Sequence, residues 1–234
     1  VLDSFLEWLC SPRNYDWNLS HHEILPEKPP ELSAIPAGLD PRVEDLVRSS
    51  GIASLYSHQA AAIEFCLQGK DTVLSTSTAS GKTLAYQIPV LDRLTRDPNA
   101  RALLLFPLKA LERDQRDAFL ALAGSSGLTA AVYDGDTSES ERRKIRSCPP
   151  RVLITNPDML HLGLLAFHDI WKDFFSHLCF IVLDEVHTYK GIFGSHISQV
   201  LLRTLRVCAR YGASPQFIAC SGTVANPGAF VSRL

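Results

Sequence analysis

Apolar residues recur along the chain with two alternating periods. Leu2, Phe5, Leu6 and Leu9 fall at helical spacing and predict a short amphipathic helix over residues 1–10. From Ser11 to Pro41 the pattern gives way to proline and polar residues, including Pro29-Pro30 and Pro36, and an extended strap is expected. Asp40-Pro41 then forms a cap and first-turn pair, with Val43, Leu46 and Val47 on one face of the helix it opens. Ser57 is the expected cap of a third helix running through Leu67. Beyond it, apolar runs at 71–75, 102–106, 129–133, 151–155, 179–183 and 216–220 read as strands. Helical stretches separate them, the longest from about Ser195 to Tyr211. Strands this uniformly apolar, alternating with helices, predict an α/β fold: a mainly parallel central sheet covered on both faces. The expected division is a helical extension and strap at 1–50 and a three-layer domain at 51–234, with no internal repeats.

Composition narrows the picture modestly. The 46% hydrophobic and 21% charged content is that of an ordinary globular chain, and no apolar run approaches the ~20 residues that span a bilayer. No membrane partner is therefore expected, and the chain is placed in the cytoplasm, or in the nucleus of a eukaryote. Cys10, Cys66, Cys148, Cys179, Cys208 and Cys220 are scattered without a C-x-x-C pair, which suggests free thiols in a reducing compartment. The histidines have no metal-ligand spacing either, so no zinc is expected. A net charge of −2 lends no general support to nucleic-acid binding but leaves room for a local basic groove. The chain begins at Val1 rather than Met and is expected to be a fragment of a longer protein.

Two strings carry the chemistry. Ser75-Thr76-Ser77-Thr78-Ala79-Ser80-Gly81-Lys82-Thr83 follows the apolar run Thr72-Val73-Leu74, so it reads as strand, phosphate loop and helix start. Backbone N–H groups of such a loop cradle phosphates, Lys82 reaches the outer ones, and the Thr83 hydroxyl is a ligand for Mg²⁺. Thr76 stands where such loops often begin with glycine, while Ser77 and Ser80 are small enough for close approach. Leu183-Asp184-Glu185-Val186-His187 puts two carboxylates at the end of the run 180–183. Asp184 is the candidate Mg²⁺ ligand, and Glu185 the group that positions and activates an attacking water. Alone, either string also fits a solvated turn; together they predict nucleotide hydrolysis.

The order of these and further strings resembles the first RecA-like domain of superfamily 2 DEAD/DEAH-box helicases, over about residues 50–234. Leu55-Tyr56-Ser57-His58-Gln59 resembles the adenine-reading Q motif, residues 76–83 motif I, and Pro107-Leu108-Lys109-Ala110-Leu111 motif Ia. Tyr133-Asp134-Gly135-Asp136-Thr137 and Thr155-Asn156-Pro157-Asp158-Met159-Leu160 resemble nucleic-acid-side motifs. Asp184 to His187 resembles motif II, and Ser221-Gly222-Thr223 stands where motif III has Ser-Ala-Thr. The longer strings YDGDT, TNPDMLH, DEVHTYKGIFGSH and SGTVANP are most similar to the YprA-like, mitomycin-repair branch and its fungal RecQ-like relatives.

The resemblance implies a P-loop NTPase fold and an ATP-driven DNA translocase unwinding 3′ to 5′, with ATP and Mg²⁺ as cofactors. It implies a role in DNA repair and a second RecA-like domain that supplies an arginine finger and is absent from these 234 residues. Tyr56 and Gln59 would read adenine, and His187 would link the ATP site to the coupling residues Ser221, Gly222 and Thr223. Pro107, Lys109, Gln115, Gly135, Asp136, Thr137, Thr155, Asn156 and Pro157 would face nucleic acid, in part through backbone N–H groups that bind phosphates without reading sequence. His58 reads as structural, and Arg142, Arg143, Lys144 and Arg146 as a solvated helix face. Thr188 to Gly194 fits either a mobile base-sensing loop or a packed connection. Two other functions share the ATP chemistry: an RNA helicase, and a protein-transport motor or ATP-gated binding module that does not unwind.

Overall fold

In the computed structural model, residues 2–15, 21, 23, 29–77 and 80–234 are described, so Thr78 and Ala79 of the predicted phosphate loop lie outside the described residues. Contacts divide the chain into two units, Val1–Glu31 and Leu32–Leu234. The first holds the expected amphipathic helix α1 (Leu2–Leu9) and a single turn α2 (Pro12–Tyr15) that the strap reading missed. Asn14 closes the turn between them by donating to Trp8 O at 2.6 Å and Ser11 Oγ at 2.7 Å.

The second unit is built on a six-stranded, wholly parallel sheet in the order β3-β8-β7-β4-β6-β5. Its strands are β3 (Thr72–Ser75), β4 (Arg101–Leu105), β5 (Ala130–Val132), β6 (Val152–Thr155), β7 (Leu178–Leu183) and β8 (Gln216–Ser221). A separate antiparallel pair, β1 (Leu32–Ser33) with β2 (Leu55–Tyr56), was not expected from the pattern. The main helices are α3 (Pro41–Ser49), α4 (Ser57–Leu67), α5 (Lys82–Arg96), α6 (Lys109–Ala123) and α7 (Glu139–Ser147), followed by α8 (Pro157–Met159), α9 (Lys172–Ser176), α10 (Gly191–Arg210) and α11 (Pro227–Val231).

Side-chain alternation explains why the strands read as unbroken apolar runs. Along β4, Ala102 and Leu104 enter one core with Tyr86, Leu91 and Phe119, while Leu103 and Leu105 enter the other with Trp171, Phe174 and Ile197. Both faces are covered, so no position needs to be polar. Helix α3, which the sequence places in the extension, sends Val43 and Val47 into the first of these cores. Asp40 caps it, accepting from Arg42 N at 3.0 Å.

The cap of α4 is Tyr56, not Ser57: the Tyr56 N–H donates to Gln59 Oε1 at 2.9 Å, and Ser57 is already helical. Helix α10 starts at Gly191, not Ser195, because both glycines are built into the start. Gly191 has φ of 60°, and a Cβ at Gly194 would collide with the Tyr189 carbonyl. Cys66, Cys208 and Cys220 are buried and Cys148 is exposed; all six cysteines are free. Among the described residues no helix is long and apolar enough to cross a membrane.

Candidate functional site

Every predicted site string except Leu55–Gln59 follows the carboxyl end of a parallel strand, the edge where ligands bind in such sheets. Strand order sorts them. The loops after β3, β7 and β8 carry motifs I, II and III on one half, and those after β4, β5 and β6 carry the nucleic-acid strings on the other.

On the first half, the phosphate loop leaves β3 at Thr76 and enters α5 through Gly81, whose φ of 76° and ψ of 28° are left-handed. A Cβ there would also stand 2.6 Å from Gln59 Nε2, so glycine is required twice over. Gln59 is buried and joins the loop to β2: its Oε1 accepts from Tyr56 N and its Nε2 donates to Gly81 O at 2.8 Å. Each amide atom makes one of its two possible bonds there, which leaves one N–H and one lone pair for a base. His58, set aside as structural, donates from Nε2 to Ser80 O at 3.0 Å and stacks on Tyr56, ring centroids 5.6 Å apart. The Thr76 and Ser80 hydroxyls bond at 2.6 Å. Lys82 is folded back on its own loop, Nζ donating to Ser77 O at 2.9 Å and reaching Thr76 O at 3.5 Å. These carbonyls are weak substitutes for an anion, so the ammonium is poised for phosphate.

Motif II continues the sheet: Asp184 N donates to Leu105 O at 3.0 Å. Burial pushes the Asp184 carboxyl up to about 6, and neighbouring Glu185 adds to that, while the Glu185 N–H (2.8 Å to Oδ1) and the Lys82 charge oppose it. Such a carboxylate gains from a cation. Burial first, and then the Asp184 charge, raise the Tyr86 hydroxyl well above its usual range, so Asp184 faces α5, the helix whose first turn carries Thr83. One carboxylate and one hydroxyl suit an ion that shares its shell with phosphates and water. Among the described residues there is no group of three acidic, histidine or cysteine side chains that would hold a metal unaided.

Glu185 has φ of 48° and ψ of 42°, a left-handed conformation unusual for a residue with a Cβ, costing on the order of 1 kcal/mol. The twist turns its carboxylate from Asp184 to His187, whose Nδ1 is 3.1 Å from Oε2. The same Nδ1 is 3.3 Å from Gly222 N. One nitrogen serves only one of them at a time, donating to Glu185 when it bears the proton and accepting from Gly222 when it does not. Motif III also touches the phosphate loop, with Ser221 O accepting from Thr76 N at 3.3 Å and Gly222 O from Ser75 Oγ at 3.1 Å. A Cβ on Gly222 would meet the His187 ring at an ordinary 3.6 Å, so the glycine is not required by space. Thr223 is exposed, and the buried Ser221 Oγ has no partner among the described residues.

On the second half, Pro107 and Lys109 open α6, and Lys109 Nζ pairs with Asp136 at 3.1 Å. Gly135, Asp136 and Thr137 form a turn around Asp134, whose Oδ1 accepts from Asp136 N, Thr137 N and Thr137 Oγ1 at 2.7–2.9 Å. Thr155 and Asn156 point inward: Thr155 Oγ1 donates to Tyr133 O, and Asn156 Oδ1 accepts from Met159 N at 2.9 Å, capping the turn that Pro157 begins. The Asp134, Thr155 and Asn156 side chains are thus buried and spent on holding the turns. Gln115 faces the ATP half instead, Oε1 accepting from Tyr86 OH at 2.7 Å. Arg142 is no solvated residue; it donates to Thr137 O at 3.0 Å and Asp134 O at 2.8 Å and lies over the Tyr133 ring. Tyr189 is buried edge-on to Phe193, a packed connection with Ile192 exposed beside it.

The family model for the DEAD/DEAH box helicase matches residues 56–230. The chain belongs to the DEAD/DEAH box helicase family. This helicase domain is 43% identical over 208 residues to the ATP-dependent helicase YprA of Bacillus subtilis, covering 88% of this chain and 28% of YprA. It is 39% identical over 233 residues to the ATP-dependent helicase HRQ1 of Saccharomyces cerevisiae, covering 97% of this chain and 21% of HRQ1. The domain thus spans between a fifth and three-tenths of those relatives. Crystal structures of the helicase MrfA bound to DNA, and to DNA and AMPPNP, superpose with TM-scores of 0.85 and 0.83 at 41% identity, covering 91% of this chain and 30% of MrfA. The fold is the RecA-like fold of these helicases.

Proposed function

We propose that this chain is the ATP-binding first RecA-like domain of an ATP-dependent DNA helicase that hydrolyses Mg·ATP to move along DNA and separate strands, in DNA repair. The observation that carries the reading is the convergence of motifs I, II and III on one half of the sheet edge, beside the turns that follow β4, β5 and β6. MrfA, at 41% identity, supports DNA: it is bound to DNA in crystals. In this reading residues 76–83 hold the phosphates, Lys82 neutralises the outer ones, and Thr83 and Asp184 hold Mg²⁺, which when bound draws charge from the phosphoryl oxygens. Glu185 takes the proton of the attacking water, and Tyr56 and Gln59 contact the base. His187 relays the state of Glu185 to Ser221, Gly222 and Thr223. Residues 51–234 form the ATP domain behind residues 1–50, and a second RecA-like domain elsewhere in the protein supplies an arginine finger. That group contributes about 10³–10⁵ in rate. The protein acts in the cytoplasm, or in the nucleus of a eukaryote.

An RNA helicase is the second reading, since a grip on phosphates does not by itself select the sugar. The test is strand displacement by the complete protein on labelled DNA and RNA duplexes bearing a 3′ or a 5′ single-stranded tail, with and without ATP. Unwinding of the 3′-tailed DNA only with ATP is expected. ATP-dependent unwinding of RNA alone would transfer the assignment to RNA, and absence of unwinding on any duplex would favour a non-unwinding motor.

A further inference from the structure

We propose that Glu112 is a positioning residue for the nucleic-acid face: its buried carboxyl joins α6, the turn after β5 and the turn after β6, and aligns them only while it carries a proton. The inference rests on the DNA-helicase reading above.

Glu112 lies on α6 one turn beyond Lys109 and is 0% exposed. Its Oε1 accepts from Asn156 Nδ2 at 3.1 Å, which ties α6 to the turn after β6. Its Oε2 is buried, and as a carboxylate oxygen it has no donor among the described residues. The Asp134 carboxyl of the turn after β5 stands within hydrogen-bonding reach. Below about pH 7 two buried carboxyls so placed do not both ionise; one proton between them makes an O–H···O bond and satisfies Oε2.

The surroundings decide which residue keeps that proton. Burial favours the neutral form of Asp134, but the bonds from Thr137 Oγ1, Asp136 N and Thr137 N outweigh it and hold this carboxyl below its usual range. Burial pushes Glu112 up to about 7, against the Asn156 amide and the Lys109 charge. Two cations face the pair: Lys109 bonds Asp136 while its charge favours the ionised form of both carboxyls, and Arg142 bonds the Asp134, Gly135 and Thr137 carbonyls. Glu112 is therefore the donor, Asp134 the acceptor, and Asn156 the third member. All the proposed nucleic-acid residues except Gln115 flank this junction: Pro107 and Lys109 on α6, Gly135 to Thr137 on one turn, Thr155 to Pro157 on the other.

The sign follows from a carboxyl whose folded value is raised. Its stabilising proton is in place at low pH, and the benefit is lost as pH rises through about 7, when two adjacent carboxylates repel and the turns separate. DNA affinity should hold at pH 6 and fall above pH about 7. Glu112→Gln supplies a permanent N–H donor to Asp134 and an acceptor to Asn156, so it should bind like the native protein at pH 6 and lose the pH dependence.

The test measures the affinity of the complete protein for a fluorescent single-stranded oligonucleotide at fixed salt from pH 6 to 8.5. Native protein should weaken by roughly three- to tenfold across the range. Glu112→Gln should stay flat, and Glu112→Ala should be weak throughout. A flat native profile, or a Glu112→Gln profile as steep as the native one, overturns the proposal, and neither depends on the alanine variant folding. Lys109→Glu separates this from failure of the underlying reading. If it weakens binding while the pH profile is flat, the face is right and the Glu112 inference is wrong; if it leaves binding unchanged, both fall.

Discussion

Where β3, β8 and β7 end, polar groups are held on backbone carbonyls or in strained conformations: Lys82 on Ser77 O, Gln59 on Gly81 O, His58 on Ser80 O, and Glu185 in a left-handed turn. Where β4, β6 and β5 end, buried side chains hold the loops from below, through Glu112, Asn156, Asp134 and Thr155. On the proposed function, phosphate takes the place of the Ser77 carbonyl at Lys82, and the first arrangement is the one that changes partners. The second ties α6 and the turns after β5 and β6 together from beneath. A chemical site coupled to a track requires that division. Beside the β4–β7 ladder, a side-chain bond joins the two: Tyr86 on α5 donates to Gln115 on α6 at 2.7 Å.

Variants can break this comparison one half at a time. The largest effect is expected from Glu185→Gln in the complete protein: ATP binding is retained and hydrolysis falls by about 10²–10⁴, because the amide does not accept the water's proton. Rapid-quench assays and calorimetry measure the two separately. DNA affinity should be unchanged, and a parallel loss would mean the halves are not distinct. Gly81→Ala should come next. It forces a Cβ into a left-handed position and against Gln59 Nε2, so nucleotide affinity should drop by roughly tenfold, read by titration with a fluorescent ATP analogue.

The sheet was readily legible in the sequence. All six predicted strands lie within one residue of the observed ends, because strands buried on both faces leave unbroken apolar runs. The two-residue strands β1 and β2 are too short to show a period. Ser57 has the right chemistry for a cap, but Gln59 reaching back to the Tyr56 N–H moved the start by one residue. Within the candidate site, the motif strings pointed to the loop at 76–83 and to Asp184 and Glu185, which the structure sets at the ends of β3 and β7. Glu112 escaped notice because a glutamate on a helix bearing Arg113, Asp114, Arg116 and Asp117 reads as solvated, and carboxylates are seldom buried without a cation. Arg142 sat in a basic run for the same reason. Tyr86 showed only helical spacing; its partner Gln115 is far off in sequence, and the bond between them exists only once the sheet brings α5 and α6 together.

That bond is where the account is most directly tested. Tyr86→Phe removes one hydroxyl and leaves a ring that fits the same core, so the loss should be that of a single buried hydrogen bond, about 0.5–1.5 kcal/mol. The measurement is the ratio of DNA-stimulated to basal ATP hydrolysis in the complete protein, with nucleotide and DNA affinities taken alongside. The account predicts a ratio reduced by roughly two- to tenfold with both affinities near native. An unchanged ratio would show that the two halves communicate by another route.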